Sequence, residues 1–439
     1  MLTFVSTTVL SATLFASLGR SLPTNTASST PSGSYSLIAD WSGANFFDNF
    51  AAFTGADPTN GNVRFVSMEE AASKGYTGFV HYSATNTSNA YIGVDYTSKS
   101  ANRESVRLTS KQNFDAGVVI ISDVVHAPSA YGSWPALWLL GDESATGIWP
   151  GNGGEYDYFE SVHTTDYNSM TMHTQPGCSV DNTTTAFQGR LQNADCNTGK
   201  GGDGCSIRAL NQDKSSSSTL ATAGAAFNKQ GGGVYANVWT TQGVATYLFD
   251  RKNLPADIVA GKPNPSSWTS TPLARFSGTG CDYTSSLSTL VHVIDHTFCG
   301  DWAGKVWQSS GAAAATNTAT CAEYVQNNPS AFKDAYFEIA SIKIYGASGI
   351  SPGRSTYAKR DVAPAPIAYP TIDLRTRDAE CPDMPNATVT STAASSSGMV
   401  HHHAHGLNHT HLHGHHNHTA NSTMIRTRLI ESSMFSFLA

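Results

Sequence analysis

Six consecutive residues of this chain, Glu155-Tyr156-Asp157-Tyr158-Phe159-Glu160, set three carboxylates among three aromatic side chains. Charged side chains are rarely buried without partners, so a strand-like run of this kind asks for a chemical reason. Alternate residues of a regular strand share a face, which aligns Glu155 with Asp157 and leaves Glu160 out of phase. One extra residue, a β-bulge near Tyr158 and Phe159, would restore the parity and line all three acids along one face. Carboxylates so placed raise one another's pKa, so at mildly acidic pH one is ionised while another keeps its proton. Retaining glycoside hydrolysis needs that division of labour. One carboxylate attacks the anomeric carbon, and a carboxylic acid roughly 5–5.5 Å away protonates the leaving oxygen. On the three acids alone, calcium binding is a serious rival.

A strand that does this work needs a sheet around it. From Tyr35 to Gly346, short runs rich in β-branched and aromatic residues alternate with Gly, Asn, Asp and Pro turns. Residues 117–126, 169–174, 231–251 and 335–346 read as strands, with Gln242-Gly243 as a hairpin turn. Helical periodicity is confined to a short turn around Ser67 to Ser73. The expectation is one all-β domain over residues 34–348, an antiparallel sandwich.

Composition narrows the partners. Charged residues make up only 13% of the 439 and the net charge is −7, so no basic field awaits a nucleic acid. Residues 1–20, with an apolar run from Val9 to Leu18, read as a secretory signal peptide too short to span a bilayer, although no Lys or Arg precedes the run. Cys178, Cys196, Cys205, Cys281, Cys299 and Cys321 suffice for three disulfides, and Cys381 stands apart. The pairing is open, although Cys196 with Cys205 and Cys299 with Cys321 would close short loops. Asn86 and Asn182 begin glycosylation triplets in the domain, as do Asn386, Asn408, Asn417 and Asn421 beyond it. Residues 349–439 read as a disordered, low-complexity tail, with a dibasic Lys359-Arg360 pair and ten histidines between His401 and His418. The histidines could take a transition metal, but a flexible accessory tail is the preferred reading. The last segment is too polar to cross a membrane.

The flanks of the acidic strand resemble glycoside hydrolase family 16, in particular the laminarinases, whose motif reads E-[IL]-D-[IV]-[IVF]-E. WPALWLL (134–140), TMHTQPGC (171–178), GGGVYANVW (231–239) and FCGDWAG (298–304) match further family segments in order, and the likeness runs from about Ser34 to Gly346. It implies a β-jelly-roll sandwich with a glycan cleft across its concave sheet. It also implies Glu155 as nucleophile, Glu160 as general acid/base and Asp157 as a helper that holds the nucleophile by a hydrogen bond. Trp138, Trp149, His173 and Trp302 would line the sugar subsites. A satisfied structural role is the alternative for His173, and Trp134 reads better as core. Tyr156, Tyr158, Phe159 and Ser161 depart from the aliphatic pattern of many relatives, and His163 stands where relatives often carry Asn. His126, His292 and His296 match no assigned role. The expected protein is a secreted, monomeric endo-β-1,3(4)-glucanase acting on β-glucan, with no cofactor required, no catalytic metal and no membrane span. A structural calcium ion stays open. A cell-wall transglycosylase and a non-catalytic glycan-binding sandwich are the alternatives.

Overall fold

Two stacked antiparallel sheets receive the alternating faces of the strands. The computed structural model describes residues 35–142, 149–150, 153–181, 187–198, 203–210, 220–356 and 366–375. One sheet runs β16 (Ala274–Ser277), β15 (Gly243–Phe249), β14 (Gly233–Thr240), β8 (Val118–His126), β18 (Phe337–Gly346), β5 (Thr87–Ile92) and β4 (Thr77–Tyr82), with β1 (Ser36–Ser42) also paired to β18. The other runs β12 (Arg190–Asn193), β13 (Cys205–Leu210), β11 (Tyr167–His173), β10 (Glu155–Glu160), β9 (Ser133–Gly141), β17 (Leu290–Phe298), β7 (Arg107–Phe114) and β19 (Gly353–Arg354), with β2 (Phe50–Ala52) on β7. A parallel pair, β3 (Val63–Phe65) and β6 (Arg103–Ser105), stands apart. The jelly-roll sandwich expected from the sequence is the fold observed.

Between the sheets, Ile120, Tyr235, Trp239, Ile342 and Ile344 meet Leu137, Leu139, Tyr156, Phe159, Met170 and Ile207 in the main core. The unbroken apolar run of β8 has its own reason. Val118 and Ile120 face this core, while Val119 and Ile121 face a second cluster completed by Ile258, Leu254 and Trp268. Both faces of the strand are therefore covered, and alternation is lost.

The four strand readings are borne out, with one shift of a turn. Thr240 pairs with Gly243, so Thr241 and Gln242 make the turn. Gly243 opens β15 at φ 127, where a Cβ would collide with the Phe276 carbonyl oxygen. The short helix Met68–Ser73 is capped by Ser67, which accepts from the Glu70 amide. Cys196–Cys205 and Cys299–Cys321 are joined as expected, and Cys178–Cys281 closes a span of 103 residues. In the chain-entropy account a loop of that size adds about 4–5 kcal/mol.

The reading of 349–439 as one disordered tail needs correction at its start. β19 pairs with β7, and Thr356 donates from its backbone amide to Asp142 at 2.8 Å. Further on, the Phe79 amide donates to Pro370 O (2.9 Å) and the Ile372 amide to Phe79 O (2.8 Å), while Tyr369 stacks on Phe47 at 4.6 Å. Ile372 and Leu374 cover Val80, Tyr91 and Tyr336. These few apolar residues dock an otherwise Pro- and Ser-rich stretch, which average composition conceals. The signal peptide, Asn182, Cys381 and the histidine tract lie outside the described residues. Asn86 is exposed at the β4–β5 turn. Among the described residues no helix is long and apolar enough to cross a membrane.

Candidate active site

β10 lies in the middle of its sheet between β9 and β11. Its register on β9 pairs Glu155 with Leu140, Asp157 with Trp138, Phe159 with Leu137 and Glu160 with Ala136, so Tyr158 is the inserted residue of a bulge. Leu140, Trp138 and Ala136 alternate along one face of β9, and the three acids therefore share that face. The bulge read from the spacing is present. Asn168, fully buried, staples it: its Oδ1 accepts from the Glu160 amide (2.9 Å) and its Nδ2 donates to Tyr158 O (2.8 Å). Nothing in the E-x-D-x-x-E pattern points to this residue, which the sequence reading missed.

The aromatic side chains of β10 turn into the core. Tyr156 reaches Thr246, and Tyr158 Oη lies 2.9 Å from Ser122 Oγ and 2.6 Å from His292 Nε2. That contact accounts for His292. His296 Nε2 lies 2.9 Å from Ser133 Oγ, and His126 Nδ1 lies 2.9 Å from Tyr336 O with the rings stacked. His163 accepts from the Gly132 amide at 3.0 Å and sits at φ 58, a left-handed position that suits Asn better than most residues. All four histidines are structural.

On the acid face, Trp149 Nε1 donates to Glu155 Oε2 at 2.6 Å, and the indole is 55% exposed. His173 stands opposite Glu155 on β11; its Nε2 is 3.3 Å from Asp157 Oδ2 and 3.8 Å from Glu155 Oε1. Gly204 leaves room for this ring, since a Cβ there would lie 2.6 Å from His173 Nδ1. At the other end of the row, Trp134 Nε1 donates to Glu160 Oε1 at 2.6 Å, and Trp302 packs edge-on against Trp134 at 5.8 Å. Trp302 follows Cys299, so the Cys299–Cys321 disulfide tethers its turn. Trp138 is buried beside the acids and donates to Asp295 Oδ1 at 3.0 Å.

Two expectations are corrected. Trp134 is not core: it is half-buried and bonded to Glu160. Its period-two spacing from Ala136 and Trp138 was the available signal. Among the described residues, no hydrogen bond joins Asp157 to Glu155; Asp157 Oδ2 is buried without a hydrogen-bond partner, and His173 bridges the two acids instead. One ligand atom each from Glu155, Asp157 and His173 lie within 4.8 Å of one another, so this trio could also hold a metal ion.

Burial dominates the electrostatics. It pushes Glu155 up to about 8, with the Asp157 charge adding and His173 and the Trp149 bond opposing. Asp157 is raised well above the carboxylate range by burial and then by Asp295. Glu160 is raised likewise by burial and then Asp157, against the Trp134 bond. The row therefore takes up protons as a coupled set. A carboxyl with a raised folded pKa favours folding below its unfolded pKa, and that contribution is lost as pH rises through the folded value. Buried His292 and His296, held down to about 3, act oppositely and matter only below about 6.5. Thermal stability is thus expected to fall between pH 6.5 and 8, at about 1.4 kcal/mol per pH unit for each acid still titrating. Melting curves of wild type and Glu155→Gln check this: the variant should show a shallower fall, and equal slopes would contradict it.

The chain matches a family model described as "XgeA-like, catalytic GH16 domain" over residues 50–345. It belongs to glycoside hydrolase family 16. A probable endo-1,3(4)-β-glucanase of Aspergillus clavatus is 36% identical over 398 residues, 88% of this chain and 58% of that protein. The endo-1,3(4)-β-glucanase xgeA of Emericella nidulans is 35% identical over 330 residues, 73% of this chain and 49% of its own length. The chain thus spans about half the length of these curated relatives. Laminarinase 16A of Phanerochaete chrysosporium, solved with two 6-O-glucosyl-laminaritriose molecules in donor and acceptor sites, is 34% identical with a TM-score of 0.61, covering 71% of this chain and 99% of that one. An elongating family 16 β-1,3-glucosyltransferase matches with 35% identity and the same TM-score and coverage.

Proposed function

We propose that the chain is a secreted endo-β-1,3(4)-glucanase that cleaves internal β-1,3-glucan bonds by retaining double displacement. The bulge that lines Glu155, Asp157 and Glu160 along one face of β10 carries this reading. Glu155, oriented by Trp149, attacks the anomeric carbon and forms a glycosyl-enzyme. Glu160, held by Trp134, gives its proton to the leaving oxygen and then takes one from water as the intermediate is hydrolysed. Asp157 stands between the two in the row, with His173 against it, and the three carboxyls share their protons so that one is ionised while another is protonated. The exposed Trp149 offers a flat apolar face to a sugar ring near Glu155, and the Trp134–Trp302 pair offers another near Glu160. Trp138 belongs to the floor beneath them. This chemistry calls on no cofactor. Three disulfides and the apolar N-terminal run support export.

A second reading, glucosyl transfer, shares the covalent intermediate and replaces water with a sugar. The aromatic pair beside Glu160 favours it, because the acceptor must approach the base from that side. Product profiles on laminarin, lichenan and carboxymethylcellulose separate the readings. Strong release of shorter oligosaccharides from laminarin, weaker turnover of lichenan and none of the cellulose derivative are expected. Products longer than the substrate would favour transfer, and binding without turnover would leave only a glycan-binding sandwich.

A further inference from the structure

A fourth carboxylate lies on the acid face, outside the E-x-D-x-x-E pattern. Asp295 of β17 stands opposite Ala136, which stands opposite Glu160, so the two acids flank Ala136 in one cross-strand row. On its other side Asp295 faces Arg107 of β7. Asp295 is buried, and its Oδ1 accepts from Trp138 Nε1. Trp138 is the cross-strand neighbour of Asp157, and the Arg107 guanidinium lies 4.9 Å over its ring. Arg107, Asp295, Trp138 and Asp157 thus form a continuous array across four adjacent strands.

We propose that Asp295 is a positioning residue for the acid row, acting on Asp157 through the Trp138 indole and through its own carboxylate. This deepens the glucanase reading and rests on it. The bond from Trp138 fixes the plane of the indole that lies against Asp157. The charge of Asp295 opposes a second ionisation beside it, so Asp157 keeps its proton. The Oδ2 of Asp157 is buried without a hydrogen-bond partner, with His173 Nε2 3.3 Å away, so a retained proton there is sheltered from solvent beside the nucleophile. The charges that face Asp295 are Arg107 from β7, Asp57 from the segment before β3, and Asp157 from β10. Asp57 is held in place by Thr59, the Gly61 amide and Thr297. One cation therefore faces three carboxyls, and at least one of them is better protonated. Asp295 itself is pushed up to about 7 by burial, with Arg107 opposing.

The pH profile of kcat/KM on laminarin tests this, measured for wild type, Asp295→Asn and Arg107→Gln alongside thermal melting. Asn keeps an acceptor for Trp138 and removes the charge. Asp157 should then lose its proton more readily, moving the basic limb to lower pH by about one unit, with roughly tenfold loss of kcat near neutrality and little change in KM. Arg107→Gln removes the facing cation and should move the same limb to higher pH. A loss of packing alone cannot produce shifts of opposite sign. An active wild type whose basic limb is unmoved in either folded variant overturns the inference alone. An inactive wild type brings down the glucanase reading and this inference with it.

Discussion

Glu155→Ala is expected to leave hydrolysis of every β-glucan at background, a loss on the order of 10⁴–10⁶-fold. Asp157 is the next residue along the row and Glu160 stands at its other end beside Trp134, so neither carboxylate occupies the position from which Glu155 attacks. The variant should fold well. It removes a buried carboxyl pushed up to about 8, which costs the native state free energy at neutral pH, so its melting temperature near pH 8 should match or exceed the wild type. Azide, small enough for the vacated space, should restore part of the rate on an activated aryl glycoside and give a glycosyl azide of inverted configuration. Turnover of laminarin near the wild-type rate would place the nucleophile elsewhere.

Glu160→Ala should cripple natural glucan hydrolysis by roughly 10²–10⁴-fold, because the alkoxide leaving group needs a proton as the bond breaks. An aryl glycoside with an acidic phenol needs little such help. Its first step should survive as a burst of phenol, followed by slow turnover as the glycosyl-enzyme waits for a base. Rapid-mixing kinetics would show the two phases. Loss of the burst together with the steady rate would show that Glu160 does more than transfer protons.

The sequence made the acid row legible because parity and bulging are local rules: Glu160 is out of phase, and only an insertion near Tyr158 repairs it. Strand positions and two of the disulfides followed from equally local signals, whereas Trp149 came only from the family resemblance. What spacing could not convey lay across strands. Asn168 staples the bulge from β11, while from β17 Asp295 meets Trp138 and His292 completes a hydrogen bond for Tyr158. Each depends on which strands become neighbours, and that is decided by the whole sandwich. Trp134 is a different case. Its spacing from Trp138 was visible, but a tryptophan is more often core than site, and only the bond to Glu160 settles the matter. The docked residues 366–375 were hidden by the tail's composition, which says little about a few well-placed apolar side chains.

The most direct test of the account is to trap the covalent intermediate. A 2-fluoro-substituted laminaribiosyl donor with an activated leaving group should form the glycosyl-enzyme quickly and release it slowly, and peptide mass spectrometry can then locate the added sugar. The account predicts one sugar adduct per chain, on the peptide containing Gly154 to Val162 and fragmenting to Glu155. A label on Glu160 or Asp157, or turnover of the donor with inverted product and no adduct, would contradict it.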